Sequence, residues 1–211
     1  MRIGKLMLLV LALSFGIVGC GQDKEPEVSS VSIGEDGTIV HQIVGGFEQN
    51  YYEMDGLTAL AEDRVAEYCA DNGADSVKLE SVEEKDGNIL IRFQYATDQD
   101  YSDFNHRQLY VGALSDAQEQ GYSLEGVAFV SADGKPMEIG YIEEQDSKQI
   151  AIIATKPSEE LVVNTYGEVL YINQSATSDL DVSFSGKKGV HITYPASDST
   201  DETVLSYIVF K

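Results

Sequence analysis

The residue types that most often carry out chemistry are present in this chain, but they are widely spaced. The three histidines, His41, His106 and His191, lack the paired spacing that marks most zinc sites. No Gly-x-Ser-x-Gly nucleophile elbow occurs, and the segment 184–189 lacks the Ser or Thr that closes a phosphate-binding loop. We therefore predict dispersed structural histidines, no catalytic residues and no cofactor.

Three aspartates, Asp98, Asp100 and Asp103, come nearest to the pattern of a metal site. Carboxylate oxygens are the ligands that Ca²⁺ prefers. An EF-hand loop, however, needs Gly at its sixth place and Glu at its twelfth, where this chain has Asp103 and Leu109. We predict that residues 98–107 form a solvated acidic loop without metal ligands. The alternative is a calcium site in that loop.

The thiol of Cys69 falls within a predicted helix. Asp55 is a favourable N-cap, Asn72-Gly73 is a favourable end, and apolar residues recur between them at helical spacing. A reactive thiol needs exposure and an electropositive setting, whereas Cys69 has acidic neighbours. We predict a buried structural cysteine.

Tyrosine is abundant in a chain that has no tryptophan, and several aromatic residues flank the predicted acidic loop. Their flat rings and polar tips suit a groove for sugars or peptides. Packing in the core is the favoured interpretation for this set: Tyr51, Tyr52, Tyr101, Phe104 and Tyr110.

The other cysteine, Cys20, ends an amino-terminal segment with the features of an export signal. Arg2 and Lys5 precede an apolar run at 6–18, which is shorter than the roughly 20 residues of a membrane-spanning helix. The sequence Ile17-Val18-Gly19-Cys20 resembles a lipobox, the site read by the bacterial lipoprotein signal peptidase, although Val18 is bulkier than usual.

The lipobox resemblance implies how the chain is processed. The peptidase would recognise Ile17, Val18 and Gly19 and remove residues 1–19 as a signal peptide. Cys20 would carry a diacylglyceryl group with acyl chains such as palmitate. The alternative is an uncleaved transmembrane anchor with a chance cysteine.

Charge limits the partners of the mature chain. Loss of residues 1–19 removes Arg2, Lys5 and no acid, so the formal net charge of −22 becomes −24. Such a surface argues against nucleic acid and against direct docking on anionic lipid headgroups. We expect contact with the membrane through lipid on Cys20, and an envelope protein or extracellular ligand as the further partner.

The rest of the chain divides into two parts. Residues 20–30 are polar and aperiodic, which predicts a flexible tether. Residues 31–211 predict a single globular domain, with a softer boundary near 121–126.

Alternating apolar residues and three Asp-Gly turns predict the fold of that domain. They indicate hairpins at 31–44, 77–95 and 128–139, and Ser115 has the spacing of a capping box that opens a short helix. We predict the α+β class: mainly antiparallel β-sheet, one amphipathic helix near the amino terminus, and a sandwich-like carboxy-terminal half.

Part of the globular domain also resembles a known group. Residues 47–52, the predicted helix with Tyr68, residues 100–105, Gly112 and Gly121-Tyr122 are similar to uncharacterised cell-surface lipoproteins of anaerobic Gram-positive bacteria. The resemblance covers roughly residues 31–122 and implies cell-surface placement without an activity.

The expected function follows from the predicted anchor and from the missing catalytic motifs. We expect a membrane-anchored extracytoplasmic lipoprotein that acts as a non-enzymatic binding or interaction module. A small surface lipoprotein that captures sugars, peptides or ions is the alternative, and an envelope enzyme is less favoured.

Overall fold

Two β-sheets form most of the computed structural model, which describes residues 28–46, 53–143, 148–174, 179–196 and 203–211. The first sheet has seven strands in the order β11 (Asp181–Ser185), β12 (Gly189–Tyr194), β9 (Glu159–Asn164), β1 (Ser29–Ile33), β2 (Ile39–Gly46), β4 (Asn88–Tyr95) and β3 (Val77–Lys85). The second has six in the order β5 (Leu109–Ala113), β8 (Gln149–Thr155), β13 (Val204–Phe210), β10 (Val169–Gln174), β6 (Ala128–Ser131) and β7 (Pro136–Met137). The predicted α+β class, with mainly antiparallel sheet, is confirmed.

The Asp-Gly turns close the predicted hairpins. At the β3–β4 turn, Asp86 and Gly87 have φ angles of 50° and 79°, and a tight hairpin turn of this kind favours glycine because both central residues adopt positive φ. The predicted pairings at 31–44 and 77–95 are confirmed. The third hairpin pairs β6 with β7, but the prediction was wrong for Ile139, which begins a helix instead.

One parallel pairing joins the two halves of the chain. β1 lies between β2 and β9, and Ser29 is the register partner of Leu161. β1 begins at Ser29, so the predicted tether, residues 20–30, wrongly includes the first two residues of this strand. Residues 1–27 lie outside the described residues, and with them the predicted signal peptide and the predicted lipidation at Cys20.

Helix α1 (Met54–Asn72) does not have the strong amphipathic face that the sequence suggested. Its only buried side chain is that of Ala61, and Leu60 on the predicted apolar face is 66% exposed. Asp55 is not the N-cap: Glu53 holds that position without a side-chain capping bond. The prediction of an amphipathic helix near the amino terminus is therefore not confirmed in that form.

Helix α2 (Asp98–Asn105) occupies the segment that was predicted to be a loop, so that prediction was wrong. The Thr97 side chain accepts a hydrogen bond from the backbone N–H of Asp100 at 3.0 Å and donates one to its carboxylate at 2.7 Å. These two bonds cap the helix. The buried side chains of Tyr101 and Phe104 fall on one face because they are three residues apart.

Two short helices flank the second sheet, α3 (Leu114–Ala117) and α4 (Ile139–Glu143). The capping box predicted at Ser115 is wrong, since Ala113 precedes α3 and the Ser115 hydroxyl bonds to Asp116. Among the described residues, no helix is both long and apolar enough to span a membrane.

The six-stranded sheet is covered on both faces. In β8, Ala151 and Ile153 belong to the main core shared with the seven-stranded sheet, whereas Ile150 and Ile152 belong to a second cluster with residues of α3 and α4. Successive side chains of a strand point to opposite faces. This explains why β8 is an unbroken apolar run instead of an alternating one.

Candidate functional site

The three histidines occupy three different environments. His41 is buried on β2, with Val31 and Phe93 as its register partners on the neighbouring strands. His106 ends α2 in a left-handed conformation, and His191 on β12 is half-exposed and hydrogen-bonds to Glu160 at 2.8 Å. In the part of the chain that the structure describes, no three His, Cys, Asp or Glu side chains are arranged to hold a metal ion.

The aspartates at 98, 100 and 103 bond to donors of the protein itself. Asp98 accepts a hydrogen bond from the backbone N–H of Val111 at 2.8 Å. Asp100 accepts one from the Tyr68 hydroxyl at 3.2 Å in addition to its bond with Thr97, and Asp103 accepts one from the Gln99 amide at 2.8 Å. These carboxylates therefore stabilise α2 and connect it to α1 and β5.

The aromatic residues of α2 are core residues. Tyr101 and Phe104 are buried and contact other rings edge-on or tilted at centroid distances of 5.3 to 5.7 Å. For these two residues the core-packing interpretation is confirmed and the groove is wrong. Tyr110 is half-buried beside Tyr122, on the face of the six-stranded sheet that α3 and α4 cover. The pair Tyr51-Tyr52 lies outside the described residues.

The Cys69 side chain packs against the core but is only half-buried, so the predicted fully buried position is not confirmed. It donates a hydrogen bond to the carbonyl oxygen of Val77 on β3 at 3.3 Å. This contact is a link between α1 and the sheet.

A cavity of about 430 Å³ lies where β1 and β9 begin side by side, and we call it the charged cavity. Its lining includes two cationic and two anionic side chains, namely Arg107, Lys156, Glu159 and Glu160. The strand register explains this grouping. Pairing of β1 with β9 places the start of β9 beside Ser29, and pairing of β12 with β9 places His191 on the outer face next to Glu160.

Arg107 and Glu159 form an ion pair at the inner end of the charged cavity, with side-chain exposures of 12% and 22%. The other oxygen of Glu159 accepts the backbone N–H of Lys156 at 3.0 Å. Burial works to lower the pKa of Arg107, but the adjacent Tyr101 and Glu159 outweigh it and the pKa is raised. The guanidinium therefore stays charged although it is largely removed from water.

Buried polar groups surround this ion pair. The Tyr101 hydroxyl lies beside Arg107 but has no hydrogen bond of ordinary geometry to a described residue. Nδ1 of His41, whose ring lies edge-on to that of Tyr101, also has no hydrogen bond to a described residue. Burial raises the pKa of Tyr101, so its hydroxyl remains protonated. Burial, together with the positive charge of Arg107, lowers the pKa of His41 to about 4, against the effect of Asn105. The interior beside the charged cavity is therefore polar but carries one fixed positive charge, that of Arg107.

The rim of the charged cavity differs from its inner end. Lys156 is exposed and has no ion pair with a described residue, whereas the exposed Glu160 hydrogen-bonds to the half-exposed His191. Between them, Ser158 has a φ angle of 66°, which is uncommon for a residue with a side chain. Its backbone N–H donates to the carbonyl of Pro195 at 3.3 Å, a bond that helps to hold the rim in place.

Sequence reasoning missed all four charged residues of this cavity. Arg107 was only the last residue of a predicted loop, and the others were single polar residues at the edge of a strand. No protein-family model matches the chain, and neither the curated proteins nor the solved structures contain a match to it.

Proposed function

We propose that this chain is the precursor of a membrane-anchored extracytoplasmic lipoprotein, and that its folded body is a non-enzymatic binding or interaction module at the cell envelope. The observation that carries the proposal is the order of features from Arg2 to Cys20: two cations, an apolar run, a small residue and a cysteine. The resemblance of residues 31–122 to cell-surface lipoproteins supports the same placement.

Lipid on Cys20 gives this placement a physical basis. Each buried CH₂ contributes about 0.8 kcal/mol, and a single acyl chain binds a membrane only reversibly. The two chains of a diacylglyceryl group make the anchor stable. The acidic body is repelled by anionic headgroups, so the anchor and not the body holds the protein on the membrane.

The second candidate is the capture of a small ligand by the anchored body. It is favoured by the charged cavity, whose volume of about 430 Å³ lies within the range of roughly 300–1,000 Å³ of small-molecule sites.

We also propose that the carboxy-terminal half is sandwich-like, whichever of the two functions holds. Its strands β9, β11 and β12 would form one layer, with β8, β10 and β13 in the other.

Metabolic labelling with a fatty-acid analogue tests the anchor. Label should enter the wild-type chain and be lost in Cys20→Ser, because the acyl group is attached through the Cys20 sulfur. Cys69→Ser is the matched control, since Cys69 is the chain's other cysteine, and it should be labelled like the wild type. Equal labelling of wild type and Cys20→Ser would contradict the proposal.

A further inference from the structure

The strand pairings of the seven-stranded sheet show which turns lie at which end of it. β1 runs parallel to β9 and antiparallel to β2, so the start of β1 lies beside the start of β9 and the end of β2. β4 is antiparallel to β2 and to β3, which brings the β3–β4 turn to the same end. We call this the anchor end, and we define it by Ser29, the turn at 85–88 and the charged cavity.

The far end is the opposite end of this sheet. It holds the β1–β2 turn at 34–38, the start of β3 at Val77 and the β11–β12 turn at 186–188. β2 and β4 run from one end to the other with eight residues each. At about 3.3 Å per residue, the two ends are therefore about 25 Å apart.

The point at which the chain enters β1 is fixed in the sheet. Ser29 is the register partner of Leu161 on one side of the strand, and on the other side its hydroxyl accepts a hydrogen bond from the backbone N–H of Val44 at 3.0 Å. β1 is the central strand of the seven. The segment before it therefore cannot be lengthened by local unfolding of β1 without loss of pairing on both sides.

The segment before β1 is short and leaves the sheet at the anchor end. Eight residues separate Cys20 from Ser29. Because each residue extends a chain by at most about 3.6 Å, Ser29 lies within about 32 Å of Cys20, whatever structure the segment adopts. If the far end faced the lipid, the segment would have to turn back and cover the roughly 25 Å length of the sheet. That path would use almost the whole reach, whereas an anchor end that faces the lipid needs little of it.

The charge of the body favours the same orientation. The chain from Cys20 onward has a formal net charge of −24, and anionic lipid headgroups repel it. The repulsion acts over a screening length of about 8 Å at physiological salt. A body that is repelled by a surface and tethered to it at one point turns that point toward the surface, because other orientations bring more acidic side chains within the screening length.

We propose that the anchored body has one preferred orientation, in which the anchor end and the charged cavity face the lipid headgroups and the far end faces away from the membrane. The far end is then the surface that a large partner such as an envelope protein meets. This inference rests on the proposed lipid at Cys20 and adds to it which surface of the folded body lies next to the membrane.

Energy transfer from labelled cysteines to acceptor lipids tests the orientation. The lipidated protein is purified from membranes with Cys69→Ala, which removes the other thiol, and is inserted into vesicles of phosphatidylglycerol and phosphatidylcholine that carry an acceptor dye on some headgroups. Lys156→Cys and Glu84→Cys place the donor dye at the anchor end. Lys187→Cys and Glu35→Cys are their matched partners, because they remove the same charges at exposed positions of the far end.

In each matched pair the label at the anchor end should lie closer to the lipid, by about 25 Å for an upright body. Insertion of Gly and Ser residues before Val28, about 20 in all, extends the reach by roughly 70 Å and tests the cause of the orientation. The difference within each pair should shrink in that variant, because the longer segment permits other orientations.

The possible outcomes separate this inference from the proposed function. Equal transfer from both labels of each pair, or stronger transfer from the far end, would overturn the orientation and leave the lipid anchor in place. Transfer from none of the four labels would overturn the anchor and the orientation together. A difference that is unchanged in the extended variant would refute the short segment as its cause.

Discussion

Acid should destabilise this protein through one buried histidine, and replacement of His41 by phenylalanine should remove that effect. The His41 side chain is 7% exposed, its ring lies edge-on to Tyr101 at 5.3 Å, and its Nδ1 atom has no hydrogen bond to a described residue. His41→Phe keeps a planar ring in the same space but cannot bind a proton. The ionisable groups that the structure places next to His41 are Arg107 and Tyr101, and Tyr95 contacts the ring of Tyr101 on its other side.

The size and sign of the effect follow from the pKa of His41. Burial, with the charge of Arg107, lowers it from 6.5 to about 4 in the folded state. Below pH 6.5 His41 therefore binds a proton in the unfolded chain but not in the folded protein. The free energy of unfolding falls as a result, until about pH 4. At 1.36 kcal/mol per unit of pKa, the loss amounts to about 3 kcal/mol. The pKa values of Tyr95 and Tyr101 are raised by burial, so neither titrates in this window.

Urea unfolding of residues 28–211 between pH 4 and pH 8, followed by tyrosine fluorescence, measures this dependence. The wild type and His41→Phe share every other ionisable group, so the difference between their profiles isolates His41. Relative to His41→Phe, the wild type should lose about 3 kcal/mol between pH 7 and pH 4. His191→Phe is the control: it removes a half-exposed imidazole ring, and the loss of stability that is due to the buried His41 should persist in it. Parallel profiles for the wild type and His41→Phe would refute the reasoning.

Three further predictions concern packing, the extent of the domain and ions. Cys69→Ala should lower the free energy of unfolding, measured in urea, by about 1 kcal/mol. Cys69→Ser should lower it by no more, because the serine hydroxyl can replace the bond from the thiol to the Val77 carbonyl. A loss above about 3 kcal/mol in either variant would contradict this packing. Residues 28–211 should unfold cooperatively in thermal melts, whereas 34–211 should not, because it lacks a strand between β2 and β9; equal melts would show that β1 is dispensable. The melting temperature should rise with NaCl, because the Debye length falls from about 10 Å at 0.1 M to about 3 Å at 1 M and repulsion between acidic side chains weakens. A rise of several degrees at sub-millimolar CaCl₂ that disappears in Asp100→Asn would instead reveal a calcium site.

The strands could be predicted because their local patterns agree with their environment. β13 (Val204–Phe210) buries Ile208, Val209 and Phe210 in succession, and β8 is apolar on both faces, because both faces of this sheet are covered. The hairpins at 31–44 and 77–95 followed from turn chemistry. In these segments the local preference and the tertiary packing favour the same structure.

The helices were harder to predict because packing overrides their patterns. α2 is mostly polar and only eight residues long. Its short apolar face was therefore weaker evidence for a helix than its charged residues were for a loop. The capping interaction between Thr97 and Asp100 and the spacing of Tyr101 and Phe104 were the signals that could have found it. In α1 the periodicity was present, but it could not show that Leu60 faces solvent.

The charged cavity could not be predicted because it depends on pairing between distant segments. β9 lies in the seven-stranded sheet between β1 and β12, although its neighbours along the chain, β8 and β10, lie in the other sheet. Arg107 and Glu159 are 52 residues apart. Each is an ordinary polar residue in its own segment, and only the fold brings the two charges together.

Mass spectrometry of the amino-terminal peptide, taken from the membrane-bound protein, tests the lipoprotein proposal most directly. We predict that the mature chain begins at Cys20, with residues 1–19 absent and a diacylglyceryl group on the cysteine sulfur. A peptide that retains residues 1–19, or a mature chain whose Cys20 carries no lipid, would contradict it.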